Sequence, residues 1–318
     1  MLIGVLGFFA HDPLATAIAA FSFPTSIPAA VFWPCFAAIA GMAVGLTTVF
    51  KNEVRQRRGI DKVLPFGRIF LAVPMAVFGA DHMTQAADIA NIVPKWMPWH
   101  MFWTYLVGVA LIAASLSILF KIQARLAALL LGLMLAMFVV MLHIPSIVAH
   151  PGNRFTWTYA FRDLTFSGGA FAYAGSLMRT RPADGTPWLV TLGRIIIGSG
   201  ALFFGPMHFL HPERVPGIPL EMVTPTWIPG HLFWTYFAGV VLLACGPFIL
   251  VNVKARMAAT YLGIVVLLTV LFVYLPILFS NSKDIVNGLN YVFDTLVFSG
   301  AALVLADAIS EPTHSHSK

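Results

Sequence analysis

Apolar runs of about 20 residues follow one another along nearly the whole chain, separated by short stretches that carry Pro, Gly, Lys and Arg. A helix rising about 1.5 Å per residue needs a run of that length to cross a hydrocarbon core of about 30 Å. The runs are continuous and rich in Leu, Ala and Val, whereas a transmembrane barrel shows short segments of alternating polarity. The pattern therefore predicts an all-α polytopic transmembrane helical bundle, with spans at about 29–50, 67–88, 101–120, 126–148, 159–178, 190–210, 232–251, 257–279 and 289–308. Nine spans result, the first of them outside the repeats described below. Residues 1–28 contain Pro13, Pro24 and Pro28 and read as an interfacial or irregular lead-in rather than a further span.

Composition strengthens this reading. Hydrophobic residues make up 59% of the 318 positions and charged residues 10%, against roughly 25% charged in soluble domains. The mean hydropathy is +0.85. A net charge of +6 raises the question of nucleic acid, but Lys and Arg sit in short loops between apolar runs rather than on one basic face, so they read as topology signals. Counted loop by loop, 14 fall on one side of the membrane and 5 on the other. This bias predicts a cytoplasmic C-terminus and an outside N-terminus in the plasma (inner) membrane. The stretch MLIGVLGFFAHDP has no basic residues ahead of its apolar run, which disfavours a cleaved signal peptide. The HSHSK tail reads as a solvated end.

An internal repeat is the most specific signal. PKWMPWHMFWTYLVGV at 94–109 and PTWIPGHLFWTYFAGV at 225–240 agree at 10 of 16 positions, at an offset of 131. The same offset pairs Arg125 with Arg256, Gly132 with Gly263 and Pro145 with Pro276. Upstream, Gly67-Arg68-Ile69 pairs with Gly193-Arg194-Ile195 and His82 with His208 at an offset of 126, so the second copy has an outer loop longer by 5 residues. Each copy holds an even number of spans, so the two should share one orientation and be related by an axis along the membrane normal. The organisation is then a lead-in and first span over 1–62, one four-helix repeat over 63–182, and a second with a short tail over 183–318.

Several motifs recur in the unit: an Arg-led first helix ending in FGADH or FGPMH, a Trp/Pro-rich outer segment and an FWTY second helix. A third helix opens with ARLA or ARMA, and a fourth contains FSGG or FSGA. With these motifs the unit resembles the DoxX-like family of small four-helix membrane proteins, over roughly 63–180 and again over 188–308. The resemblance implies a membrane subunit of a thiosulfate:quinone oxidoreductase, or a membrane partner of a redox enzyme. It supplies no catalytic residues to carry over.

Polar groups at depth mark candidate sites. From Arg68 to Asp81 and His82 is 13 and 14 residues, about 20 Å of helix, and Arg194 to His208 is the same. Arg162 and Asp163 lie about 25 Å from the basic end, and Asp294 about 17 Å. Ionisable groups so placed cost several kcal/mol unless paired, so Asp81, His82, Arg162, Asp163, His208 and Asp294 are the candidate ligand-binding set, expected to face the interior of their own units. His100 and His231 open their helices at the outer interface. With Trp96, Trp99, Trp103, Trp227 and Trp234 they form either an aromatic belt or, with the Pro-rich segments 89–100 and 212–231, the rim of a lid. His143 and its counterpart Tyr274 precede Pro145 and Pro276, where helices bend and free carbonyls, and His143 is a third rim candidate.

At the offset of 131 Asp163 matches Asp294, which suggests His82–Asp163 and His208–Asp294 contacts, while the joint replacement of Asp81 by Met207 and Arg162 by Phe293 suggests an Asp81–Arg162 ion pair. The FSG triplets match instead at 132, which sets Arg162 against Asp294.

Known chemistries are constrained as follows. Cys35 and Cys245 lie inside apolar runs with no CxxC or CxxCH, which speaks against a thiol relay or a c-type haem. A b-type haem on His82 and His143 is disfavoured, because the second copy offers Tyr274 opposite His208. No zinc motif, P-loop or dinucleotide glycine motif occurs. Gly132, Gly168 and Gly169 read as close-packing positions. Three readings stay open: a quinone-linked subunit of a redox system, whose polar site in the outer half of the membrane binds the quinone head; a non-enzymatic scaffold for a partner oxidoreductase; and a small-solute transporter. An apolar slot reaching the lipid from the polar cluster favours the first, a filled interior the second, and a continuous water path the third.

Overall fold

The computed structural model describes residues 27–178, 186–280 and 284–309. The lead-in up to residue 26, Arg179, Arg181, Lys283 and the HSHSK tail, on which parts of the topology reading rest, lie outside the described residues. Nine long helices run through the rest: α1 (Ala29–Asn52), α2 (Phe66–Thr84), α3 (His100–Phe120), α4 (Ala124–Ala149), α5 (Arg154–Ser176), α6 (Trp188–Leu210), α7 (His231–Leu250), α8 (Ala255–Ser280) and α9 (Ile285–Ala308). Eight of them are long and apolar enough to cross a membrane. The remaining one, α5, has the length but carries Arg154, Arg162 and Asp163; it survives in an apolar bundle because its inner face is buried among other helices.

Local chemistry sets the helix ends. The Asn153 side chain accepts the Phe155 N–H and caps α5. Arg68 donates to the Ile118 and Leu119 carbonyls in the last turn of α3, at 3.1 and 2.7 Å. Arg194 does the same for Ile249, at 2.7 Å, and for Leu250 at the end of α7. The corners from α3 to α4 and from α7 to α8 each use two left-handed residues, Lys121 and Gln123 in one, Asn252 and Lys254 in the other. Inside α4 and α8 the chain widens into a π-helical turn, Val139–His143 and Val270–Tyr274, just ahead of Pro145 and Pro276. A proline there removes one intrahelical bond and pushes its ring at the preceding turn, and the wider turn absorbs both faults.

The packing order closes on itself. Each helix from α2 to α9 packs against the next, and α9 returns to pack against α2. Taken as two runs of four, a first set α2–α5 and a second set α6–α9, the first helix of each leans on the last helix of the other: α2 on α9 and α6 on α5, with α5 and α9 also in contact. Glycines permit this. A Cβ on Gly67 would lie 2.7 Å from the Val304 backbone, and one on Gly300 2.6 Å from the backbone of Phe70 and Leu71. At the matching crossing a Cβ on Gly193 would lie 2.4 Å from the Gly168 carbonyl. Backbones in such contact leave room for no side chain at all. α1 stands outside the ring against α2, and Arg256–Asp61 at 2.9 Å ties the start of α8 to the turn before α2.

Because the obstacle at these crossings is backbone, Gly193→Leu is expected to lower stability by about 1–3 kcal/mol or more, as overpacking does. Gly152→Ala, at a position with open space around it, is expected to change nothing. Thermal unfolding in detergent compares the two, and equal melting temperatures would rule the crossing out as a constraint.

Candidate functional site

The π-helical turn in α4 ends on His143 and brings its ring toward α5, where Nε2 lies 2.7 Å from Asp163 Oδ2. Asp163 Oδ1 accepts from Arg162 Nε at 2.9 Å, and Arg162 Nη1 donates to Asp294 Oδ2 at 3.1 Å. One chain of charge-assisted bonds thus links α4, α5 and α9, and the guanidinium also lies over the Tyr159 ring, 5.1 Å from its centroid. Asp163 and Asp294 are both buried. Arg162 donates to both, and such pairing is the condition for keeping carboxylates in an apolar bundle.

The expected pairing differs from this one. Asp81 is joined to Gln85 Nε2 at 3.2 Å, and among the described residues no ion pair links it to Arg162. His82 bonds the Phe78 carbonyl rather than Asp163, and His208 bonds the Phe204 carbonyl rather than Asp294, each through Nδ1 at 2.7 Å. The reason is register. Ser167 Oγ donates to the Gly132 carbonyl and Ser299 Oγ to the Gly263 carbonyl, both at 2.7 Å, so third helices match at 131 while fourth helices match at 132. Arg162 then corresponds to Asp294 and Asp163 to Thr295. Asp294 also leaves its own set: because α9 packs on α2, its carboxylate faces the first set.

These groups lie at the inner end of a cavity of about 1070 Å³ between α2, α3, α4, α5 and α9. Asp81, His82, His143, Arg162, Asp163 and Asp294 line it, and Met134, Phe138, Leu111 and Val107 make most of its wall apolar. Ile92, Pro94 and Met97 from the outer segment close its top. Its flank runs between α3 and α4, where the lining residues Leu106 and Met137 are 44% and 50% exposed on the lipid-facing surface. His143 therefore belongs to the site and not to its rim. His100 and His231 start α3 and α7 and do not line it. Tyr159 was missed in the sequence, although its match to Tyr291 at 132 was there to be found.

At the matching place in the second set the described residues fill the space. The outer segment dips inward, and residues 215–220 are all buried. Gly217 N–H donates to His208 Nε2 and Tyr274 Oη donates to the Pro216 carbonyl, each at 2.7 Å. Arg154 of α5 reaches across to hold the Pro219 and Leu220 carbonyls. A smaller cleft of about 510 Å³ at the basic end holds Arg57, Arg68, Lys121 and Arg125. Its acids are paired, Asp307 with Arg57 and Glu53 with both Arg68 and Lys121, at 2.8–2.9 Å.

Removing one partner of a buried ion pair costs about 3–5 kcal/mol, so Arg162→Met, which strands two carboxylates, is expected to lower stability by that order. Asp81→Asn keeps a carbonyl oxygen for Gln85 and is expected to cost less than about 1 kcal/mol. Denaturation of the two variants in the same detergent checks the ranking, and the reverse order would contradict it.

Comparison with known proteins gives a match over part of the first set of helices. No curated protein and no solved structure matches the chain. Residues 63–144, which span α2, α3 and most of α4, match the family model described as DoxX. This multi-pass membrane protein accordingly carries a segment, residues 63–144, that matches the DoxX family.

Proposed function

We propose that the chain is a quinone-linked membrane subunit of a redox system, built from two tandem DoxX-like units of which the first holds the ligand. The observation that carries this reading is the apolar cavity flanked by lipid-facing residues of α3 and α4, with the Arg162–Asp163–Asp294 cluster at its inner end. A molecule with a long apolar body and one polar ring matches both parts of that lining. Reducing a quinone to a hydroquinone takes two electrons and two protons. In this reading a partner oxidoreductase delivers the electrons, Asp81 and the His143–Asp163 pair hold protons beside the ring oxygens, and His82 faces the ring as an acceptor. Arg162, which lines the cavity, orients a carbonyl of the ring.

The filled interior of the second set supports a narrower role for it as scaffold, buttressing α5 and supplying Asp294 through α9. The arginines and lysines at the ends of α1, α3 and α7 favour an orientation with that basic end in the cytoplasm, and the cavity then lies toward the outer face.

Purification of the full chain in mild detergent, followed by organic extraction and mass spectrometry, is expected to recover about one quinone per chain, as a preformed pocket of this size holds one such ligand. Val107→Trp, which places an indole in the cavity wall, is expected to reduce that to a small fraction while the melting temperature holds. Recovery of no quinone, or equal recovery from the variant, would refute the reading.

A further inference from the structure

The two sets of helices solve one problem in two ways. His82 and His208 occupy matching places: a Cβ on Gly108 would lie 2.9 Å from His82 Cβ, and one on Gly239 would lie 2.9 Å from His208 Cβ. Both rings bond a carbonyl one turn earlier through Nδ1, with Phe78 and Phe204 as acceptors. A carbonyl only accepts, so Nδ1 carries the proton in each and Nε2 is left as an acceptor. At His208 that acceptor receives Gly217 N–H at 2.7 Å. At His82 no described protein group bonds Nε2, and the ring lines the cavity.

The groups that hold the inserted segment in the second set correspond one by one to cavity-lining groups in the first. Tyr274, which bonds the Pro216 carbonyl, matches His143. Thr295, whose methyl would lie 3.2 Å from a Cβ on Gly217, matches Asp163. Tyr291, whose oxygen accepts Met222 N–H at 3.0 Å, matches Tyr159. The run Val215–Leu220 is thus an internal occupant, apolar along its length, with one N–H directed at the histidine. It reaches that depth because its outer loop is longer by 5 residues than the one in the first set.

We infer that the cavity of the first set is built for an apolar, chain-like ligand whose polar end is a hydrogen-bond donor, a hydroxyl or an amide N–H, seated on His82 Nε2. This rests on the reading of that cavity as a binding site and adds the chemistry of the end group. A head that offers only acceptors leaves Nε2 unpaired beside a dry wall, and a buried unpaired acceptor is the costly arrangement. Within the quinone class the site then favours the reduced, hydroxyl-bearing form.

Two pairs of probes test this on the full chain in lipid nanodiscs by native mass spectrometry: 4-dodecylphenol against 4-dodecylanisole, and N-dodecylacetamide against its N-methyl form. One hydrogen bond at a buried acceptor corresponds to about ten-fold in occupancy, so the donor is expected to exceed its methylated partner by about that factor in at least one pair. Preference in the first pair identifies a hydroxyl head, and preference in the second an amide. His82→Phe is expected to bring the ratio close to one, and His82→Gln, which keeps an acceptor, to restore part of it. Ratios near one in both pairs with the native histidine overturn the inference, and that comparison needs no variant to fold. If quinone still co-purifies while the ratios are flat, only the donor assignment fails. If neither quinone nor any probe is retained, the cavity is not a binding site and both readings fail.

Discussion

A guanidinium in the middle of an apolar bundle has to find its counter-charges inside the protein, because no water reaches it from lipid. Arg162 meets this need twice over, with Asp163 beside it on α5 and Asp294 across on α9. Much else follows from that one requirement. The carboxylate on α9 has to come within reach of α5, which fixes the two last helices of the sets as neighbours. Their closeness in turn sends each first helix to the other set, and the glycines at 67, 300, 193 and 168 are what allow those helices to meet backbone to backbone. The site and the crossing of the two halves are one arrangement.

Loops vary more readily than the elements they connect. Here the helices keep matched bonds at Arg68 and Arg194, at Ser167 and Ser299, and at His82 and His208. The outer segments do not. One lies across the top of its helices, and the other turns inward and fills them. The same helix plan therefore supports an open cavity on one side of the molecule and a packed core on the other, and the polar residues have drifted accordingly. Asp163 and His143 face a space that can admit a ligand, while Thr295 and Tyr274 face a peptide backbone.

The helices and their order were legible in the sequence because lipid imposes a length and a composition that few other structures share. The gathering of Asp81, His82, Arg162, Asp163 and Asp294 around one space was legible as well, by counting residues along each helix. Their partners were not. A shift of one residue turns a helix by about 100°, so matching fourth helices at 131 instead of 132 set Asp163 against Asp294 and turned the expected ion pairs away from the real ones. The exchange of first helices was also out of reach, since a run of Gly and Ala states that a helix approaches another closely without saying which. The inward turn of Val215–Leu220 could be read only as extra length, as its proline and glycine residues fit a surface loop equally well.

The closed order of packing has a consequence for how the molecule is made. α2 leaves the ribosome early, yet its Gly67 is covered by α9, which is synthesised much later. Arg162 likewise enters the bilayer well before Asp294 exists. Until α9 is made, the nascent protein holds an uncovered helix edge in the membrane and Arg162 lacks one of its two carboxylate partners, so its biogenesis calls for the early helices to be sheltered during insertion. A chain stopped short of α9 loses the seal of its first four-helix set together with one wall of its cavity, although every residue of that set has already been made.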